Sequence, residues 1–350
     1  MARNHRAAIR EDGYPTTSHP PGQPQSVPLY SLSVRSYQDI KVNPITWLWK
    51  NRLAFGKFSL FAGVPGAGKT YAMCDLVARC SQGGMFPDGT PVPHCESLIL
   101  SAEDGAEDTL KPRLLAHNAD MNMVHHLDGV RTQDRDLFFA VSRYTDLLDK
   151  WLDGHPHVRL IAIDPITAFM GDDVDDYKNA EVRAALGPLA AMADQRKITI
   201  LGITHLSKSQ TKSINRVIGS IAYVAAARAV WLIDHDPNEH GRRLFLQIKN
   251  NLGHADGLAF SINPPAPIAW ESDPVTMTAD DLSDTTHTTS QEAAVEWLRD
   301  SLSDGPVSAR QILSQCEREG ISKRTLGRAK KALKVISKHK ESSWFWMIPE

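Results

Sequence analysis

The sequence predicts an α/β fold with a mostly parallel sheet, followed by a small helical domain that ends in a hairpin. Three observations lead to this prediction. Short apolar runs alternate with helical patterns up to about residue 272, and the glycine-rich loop GVPGAGKT joins one such run to a helix. A separate basic region with its own helical pattern closes the chain. Strands and helices that alternate in this way form parallel sheets covered by helices.

Composition limits the classes of protein to consider. The chain has 350 residues, 42% of them apolar, and a net charge of −2, so any surface for nucleic acid must be local. No apolar run approaches the roughly 20 residues that span a bilayer, and the N-terminus lacks the apolar centre of a signal peptide. We therefore expect a cytoplasmic protein without membrane contact. The cysteines show no C-x-x-C spacing, which favours buried, reduced thiols over a zinc site.

Changes in composition and in the spacing of apolar residues divide the chain into four segments. Residues 1–36, rich in Pro, Ser and Thr, predict a disordered tail. Residues 37–272 predict the α/β domain, with strands at FSLFA, SLILSA, VRLIAID, ITILGITH, ARAVWLID and RRLFLQIKN. Helices are expected at AEDTLKPRLLAHNA and NAEVRAALGPLAAMADQ. Residues 273–288 are polar and aperiodic and predict a linker.

Residues 289–350 predict a winged helix-turn-helix domain. Thr289 and Glu292 form a plausible capping box for a first helix through EAAVEWLRDSL. Ser308 is expected to cap a second helix, ARQILSQCERE, and Ser322 a third, KRTLGRAKKALKV. The final stretch SSWFWMIP alternates like a strand. Three short helices and a hairpin match the winged form of the helix-turn-helix.

The loop GVPGAGKT satisfies the phosphate-binding pattern G-x-x-x-x-G-K-[ST], with a strand before it and a helix after it. Its backbone amides and the helix N-terminus attract phosphate. Lys69 is expected to contact the β- and γ-phosphates of ATP, and Thr70 to place its hydroxyl on Mg²⁺. The predicted nucleotide-binding residues are Gly63, Val64, Pro65, Gly66, Ala67, Gly68, Lys69 and Thr70.

Three polar residues at strand ends are candidates for the rest of the catalytic site. Asp164 ends RLIAID, where a second Mg²⁺ ligand belongs. Glu103 follows SLILSA and can polarise the attacking water, with Asp104 as its rival and a surface capping role as the alternative. His205 ends ITILGITH at the edge where ligands bind in open α/β sheets. It is either a sensor of the γ-phosphate or a structural histidine.

The order of GVPGAGKT, SAED, IAIDPITAF, ITHLSKS, RVIGSIAYVAAARAVW and IKNNLG resembles the RecA-type ATPases of the RepA-like replicative helicases. These are hexameric enzymes of plasmids, phages and mobile elements, related to the DnaB helicase core. The resemblance covers residues 37–272. It implies a RecA-like core, Glu103 as catalytic glutamate, Asp164 as Walker B acid and His205 as the sensor that couples γ-phosphate to DNA. A small winged domain follows the core in many RepA-like proteins.

The resemblance also implies a cation that reaches the nucleotide of the neighbouring subunit. DnaB-like enzymes carry K-x-R after a late strand, whereas this chain has Lys249 followed by two asparagines. Lys249 is the first candidate for this trans-acting finger and Arg228 the second. Lysine acts as a point charge and lacks the bidentate fork of arginine. A solvated lysine at a strand end is the alternative for Lys249.

Two basic segments are candidates for DNA contact. The segment SKSQTKSINRVIGS follows His205, and in RecA-like rings the corresponding loops face the central channel. Lys208, Lys212 and Arg216 are expected to follow a single strand there. Residues 321–340 are rich in cations and contain no acid, which suits double-stranded DNA. The candidates there are Lys323, Arg324, Arg328 and Lys331.

The leading hypothesis is a homo-hexameric, DNA-dependent ATPase and helicase that replicates a mobile element, with a primase or another replication protein as partner. The N-terminal tail is too short for a primase segment, so a partner is expected to supply priming. One alternative is an ATP-switched DNA-binding or loading factor that unwinds nothing. Another is a KaiC-like regulatory ATPase with protein partners only.

Overall fold

The computed structural model describes residues 32–175, 178–206, 221–302, 305–318, 321–340 and 343–348. Met1–Pro44 is a compact unit of its own, and its described part contains one turn of 3₁₀ helix, Tyr37–Asp39. Most of the tail predicted over residues 1–36 lies outside the described residues, as does the whole basic loop predicted over 207–220.

The second unit, Ile45–Glu350, holds all the named strands and α-helices of the described residues. The strands are β1 (Trp47–Trp49), β2 (Leu53–Ala54), β3 (Phe58–Gly63), β4 (Gly84–Met85), β5 (Pro91–Val92), β6 (Glu96–Ser101), β7 (Val124–His126), β8 (Val130–Arg131), β9 (Asp136–Leu137), β10 (Val158–Asp164), β11 (Thr199–His205), β12 (Ala229–His235), β13 (Arg242–Asn250), β14 (Leu258–Ser261), β15 (Ala269–Trp270), β16 (Val307–Ser308), β17 (Ile336–Lys340) and β18 (Ser343–Met347). The helices are α1 (Lys69–Gln82), α2 (Lys111–Ala116), α3 (Val141–Asp153), α4 (Asn179–Arg196), α5 (Ile221–Ala226), α6 (Ala279–Ser301), α7 (Ala309–Arg318) and α8 (Lys323–Ala332). None of these helices is long and apolar enough to cross a membrane.

A nine-stranded sheet forms the centre of the fold, in the order β15-β14-β13-β12-β3-β11-β10-β6-β7. Strands β12, β3, β11, β10, β6 and β7 are parallel to their neighbours in this series, whereas β13, β14 and β15 add an antiparallel edge. This confirms the predicted α/β fold, which is that of a RecA-like P-loop core. β3 lies between β12 and β11 in the sheet. The glycine loop follows β3, so parallel strands end on both sides of it.

Apolar clusters cover both faces of this sheet, which explains why its strands appear as nearly continuous apolar runs. All six residues of β3 are buried. Leu60 belongs to the cluster that contains α3 and α4, and its neighbour Phe61 to the cluster that contains α1. The alternation of side chains along a strand sends successive residues to opposite faces. The predicted buried thiols are confirmed, because all four cysteines are buried and free.

Helix α6 corrects the predicted linker over residues 273–288. The helix begins at Ala279, and its capping box is formed by Thr278 and Asp281 rather than by Thr289 and Glu292. Ala279 and Leu282 pack on the cluster that contains α3 and α4, so the polar run has an apolar anchor at its start. Since no Gly or Pro interrupts residues 279–301, nothing ends the helix before that point. The division into domains stays a prediction.

The C-terminal residues contain the helices and the hairpin that the sequence predicts. The C-terminal part of α6, α7 and α8 share an apolar cluster with the small sheet β16-β18-β17. The hydroxyl of Ser322 accepts from the backbone N–H of Thr325 and so caps α8. Leu326 and Ala329 of α8 are buried. Leu326 and Ala329 therefore hold one face of α8 against the apolar cluster. The winged helix-turn-helix assignment stays a prediction.

Candidate active site

The glycine loop lies at the carboxyl end of β3, where it joins the strand to α1 at Lys69. A cleft of about 440 Å³ opens there. Its walls include residues from the ends of β6, β10 and β11, because parallel strands end at the same edge of the sheet. The cleft brings together eight of the predicted site residues: Pro65, Gly66, Gly68, Lys69, Thr70, Glu103, Asp164 and His205.

Two glycines of the loop are required by close contacts. A Cβ on Gly63 would lie 2.0 Å from the carbonyl oxygen of Ile233 on β12. Gly68 has a φ of +98°, and a Cβ there would lie 2.4 Å from Cδ1 of Ile262. A side chain at Gly63 would push the loop away from β12, and one at Gly68 would displace Cδ1 of Ile262 and be strained by the positive φ. The glycines therefore let the backbone amides of the loop and of α1 face a ligand.

Lys69 is held inside the loop that it follows. Its ammonium donates to the carbonyl oxygens of Gly63 at 3.0 Å and Val64 at 2.9 Å, and lies 3.3 Å from Nδ1 of His205. The residue is 5% exposed, and this burial lowers the pKa of the ammonium, against the attraction of Asp164. A desolvated cation fixed by backbone carbonyls is oriented for phosphate before the ligand arrives.

Thr70 and Asp164 form a pair of oxygen donors suited to Mg²⁺. The Thr70 hydroxyl donates to Oδ2 of Asp164 at 2.7 Å, and Asp164 is 5% exposed. Burial raises the pKa of this carboxyl, the Thr70 hydrogen bond lowers it, and the nearby Glu103 carboxylate raises it further. Hard oxygen ligands beside a phosphate site are the set that Mg²⁺ prefers. These two residues would hold the ion.

His205 connects Lys69 to Glu103. The register of β11 with β3 places His205 opposite Gly63. Since an ammonium only donates, Nδ1 of His205 accepts from Lys69 and its proton lies on Nε2. That Nε2 is 3.5 Å from Oε1 of Glu103. The histidine therefore contacts both the phosphate-binding lysine and the candidate general base.

Asp104, the rival of Glu103, has a different role. Its carboxylate accepts from Nη1 of Arg113 at 2.6 Å, and the Arg113 guanidinium lies 4.7 Å from the centre of the Tyr71 ring. The Glu103 side chain is 59% exposed, against 28% for Asp104. Glu103 is thus the more accessible of the two carboxylates to water. The sequence did not point to Arg113 or Tyr71, because their contacts join distant elements.

A second wall of the cleft was also missed by sequence reasoning. Arg243 on β13, with Ile262 and Pro264 after β14, faces the glycine loop from the antiparallel edge of the sheet. RRLFLQIKN was predicted as a strand, but a strand pattern does not show which arginine faces a ligand. The packing of Ile262 against Gly68 required the tertiary structure.

The two finger candidates lie outside this cleft. The Lys249 ammonium donates to the carbonyl oxygens of Val224 at 2.7 Å and Ala227 at 2.8 Å, at the C-terminal end of α5. Burial lowers its pKa, and the nearby cation Arg228 lowers it further. Lys249 is thus bound within its own chain, whereas the Arg228 side chain is exposed. Which residue reaches a neighbouring subunit stays a prediction.

The structure describes only one of the two candidate DNA surfaces. Lys208, Lys212 and Arg216 lie outside the described residues. On α8, Lys323, Arg324 and Lys331 are exposed and Arg328 is half-buried, whereas Leu326 and Ala329 are buried. The predicted separation of an apolar and a cationic face along this helix is therefore present.

The fold and the cleft define a P-loop ATPase. The AAA domain family matches residues 23–211, which is more than half of the chain, so the chain belongs to this family. A KaiC-like protein from the hyperthermophilic archaeon Pyrococcus horikoshii matches with a TM-score of 0.47 and 16% identity, over 65% of this chain and 100% of that chain. No curated protein matches the sequence.

The buried carboxyl of Asp164 leads to a prediction about stability. A raised pKa means that the folded protein holds this proton more tightly than the unfolded chain does, so stability is lost as pH rises through the folded-state value. Without nucleotide, Asp164→Asn should melt about 2 °C above the wild type at neutral pH, and this difference should shrink below about pH 4. Calorimetry across this pH range measures it. A variant that melts lower at every pH would contradict the assignment.

Proposed function

We propose that the protein is a DNA-stimulated ATPase of the RepA-like helicase type, active as a homo-hexamer in the replication of a mobile element. The observation that carries this proposal is the meeting of Lys69, Asp164 and Glu103 at one cleft, with His205 between the lysine and the glutamate. Lys69 is placed to bind phosphate, Asp164 to bind a metal ion, and Glu103 to orient a water molecule. His205 also lies just before the basic segment 207–220 in the chain, so it connects the site to that segment.

The hydrolysis step follows from these positions. Lys69 and the N-terminus of α1 stabilise negative charge on the phosphates. Glu103 orients a water molecule and takes its proton as the oxygen attacks the γ-phosphorus. The bond to the bridging oxygen breaks, which leaves ADP and phosphate. Thr70 and Asp164 would hold Mg²⁺, which would neutralise charge at the phosphate oxygens.

His205 provides a route from the phosphates to DNA. Its contacts with Lys69 and Glu103 change when a γ-phosphate takes hydrogen bonds from the lysine. Leu206 and the segment 207–220 follow directly in the chain, so a shift of His205 moves that segment first. Lys208, Lys212 and Arg216 then act as a track for the backbone of a single strand.

The cationic face of α8 is the proposed contact with double-stranded DNA. Lys323, Arg324 and Lys331 are exposed on it and no acidic residue occurs on α8. Such a face binds phosphates with a strong salt dependence. In this proposal the C-terminal region finds the duplex, and a primase or another replication protein completes the reaction.

The contacts of the two finger candidates lead to opposite expectations. Arg228→Ala removes an exposed cation, so we expect DNA-stimulated hydrolysis to fall about 100-fold with ATP affinity nearly unchanged. Lys249→Ala removes the donor to the end of α5, so it should lower the melting temperature more than turnover per folded molecule. Turnover and thermal melting of both variants measure this difference. The opposite pattern would make Lys249 the finger.

The experiment that tests the proposed function is ATP turnover with single-stranded DNA, together with strand displacement on a forked duplex. We expect DNA to stimulate turnover and the fork to be unwound. Stimulated turnover without displacement would instead identify an ATP-switched DNA-binding or loading factor. Absence of any DNA affinity at low salt would overturn both, since phosphate contacts are strongest there.

A further inference from the structure

The cleft contains a cation that the hydrolysis step does not use. Arg243 lies on its wall, and its Nε is buried without a hydrogen-bond partner. Its Nη1 donates to the carbonyl oxygen of Arg242 at 3.3 Å. Among the described residues no carboxylate lies within ion-pair distance of Arg243. A guanidinium with an unused buried donor at the mouth of a cleft is a candidate to bind a ligand.

The neighbouring arginines show that this arrangement is unusual. Arg242, the preceding residue, pairs with Asp236 at 2.5 Å and with Glu271 at 2.7 Å. Arg113, the other arginine on the cleft wall, pairs with Asp104 at 2.6 Å. The structure therefore supplies a carboxylate to Arg242 and to Arg113, and among the described residues it leaves Nε of Arg243 without an acceptor.

The order of the strands indicates which end of a nucleotide Arg243 meets. Glu103 follows β6, and Asp164 and His205 are the last residues of β10 and β11, all on one side of β3. These residues fix the γ-phosphate end on that side. Arg243 lies on β13, two strands away from β3 on the other side, which corresponds to about 10 Å at the usual strand spacing. A triphosphate that lies over the glycine loop consequently points its nucleoside toward Arg243.

The wall beside Arg243 suits the flat face of a base. Ile262 and Pro264 line it, and Ile262 packs directly against Gly68 of the loop. The segment is fixed to the helices, because the backbone N–H of Ile268 donates to Nε2 of His117 and the Trp270 indole donates to Asp75 of α1. A fixed apolar surface with one donor group is the usual composition of a small-molecule subsite.

We propose that Arg243, with the wall of Ile262 and Pro264, binds the nucleoside part of the nucleotide through the acceptor atoms of its base. This proposal rests on the proposed function only in taking the cleft as an ATP site. An arginine has donors and no acceptors, so it recognises nitrogen and carbonyl acceptors on a base edge. The apolar wall contacts the ring face, and Lys69 is left to the phosphates.

The test compares ATP with inorganic tripolyphosphate, which has the phosphates but no nucleoside. Binding of each is measured by calorimetry without DNA at about 0.15 M salt, where charges 10 Å apart are largely screened. Arg243→Gln should weaken ATP binding about 10-fold and leave tripolyphosphate binding unchanged. Arg131→Gln, which removes an exposed arginine of β8, is the matched control and should change neither.

The outcomes separate this proposal from its alternatives. Equal weakening of ATP and tripolyphosphate would show that Arg243 contacts phosphate, and no change in either would show that it contacts no part of the nucleotide. Both results overturn the proposal. Arg243→Lys, which retains the charge but not the planar fork, should also weaken ATP binding, and thermal melting confirms that each variant is folded. Because the assay contains no DNA, failure of DNA stimulation would not affect this result.

Discussion

Lys69→Ala is expected to reduce ATP hydrolysis by about a thousandfold or more. The Lys69 ammonium is the buried cation of the loop and is already oriented by the carbonyl oxygens of Gly63 and Val64. Its removal takes away both the attraction for phosphate and the charge that stabilises the transition state. Turnover at saturating Mg²⁺ and ATP measures the loss.

The matched control for this variant is Lys57→Ala. Lys57 directly precedes β3, at the end opposite the loop, and pairs with Asp194 at 2.9 Å on a partly exposed surface. Such a pair contributes about 0.2–1 kcal/mol to stability and nothing to the cleft. Lys57→Ala should therefore keep its turnover. If Lys69→Ala retained wild-type hydrolysis, the cleft would not be the catalytic site.

Glu103→Gln should lower hydrolysis by about 100-fold to 10,000-fold and leave ATP affinity almost unchanged. Glutamine keeps the shape of the side chain but cannot accept the proton of the attacking water. Asp104→Asn is the internal comparison, because Asp104 is bound to Arg113 and is less exposed. Single-turnover hydrolysis and equilibrium ATP binding separate the two effects. A larger loss in Asp104→Asn would reverse the assignment of the base.

Most of the sheet and half of the cleft were predictable from the sequence. β3, β6, β10 and β11 are largely buried, so each appears as a short apolar run, and β6, β10 and β11 end in a polar residue. The glycine pattern fixed the loop between β3 and α1. These local patterns are enough to predict which residues meet at the cleft. Parallel strands bring their carboxyl ends together at one edge of the sheet, whatever sequence lies between them.

The remaining features depend on contacts between distant segments. The sequence does not show which of the two arginines has carboxylate partners. In the structure Arg242 pairs with Asp236 and Glu271, whereas Nε of Arg243 is buried without a hydrogen-bond partner. Lys249 appeared to be a candidate for a neighbour's nucleotide until its ammonium was found on the carbonyl oxygens of α5. The start of α6 was missed because its polar residues mask the apolar anchor at Leu282. The partners Glu271 of Arg242 and Val224 of Lys249 lie more than twenty residues away in the chain, where a local pattern does not reveal them.

The proposed function requires a neighbouring subunit to complete the ATP site in a ring that forms on DNA. Size-exclusion chromatography with light scattering tests it most directly, on the wild type and on Glu103→Gln, which should retain ATP. We expect the mass of six chains when ATP, Mg²⁺ and single-stranded DNA are all present. A monomer under every combination of these ligands would contradict it.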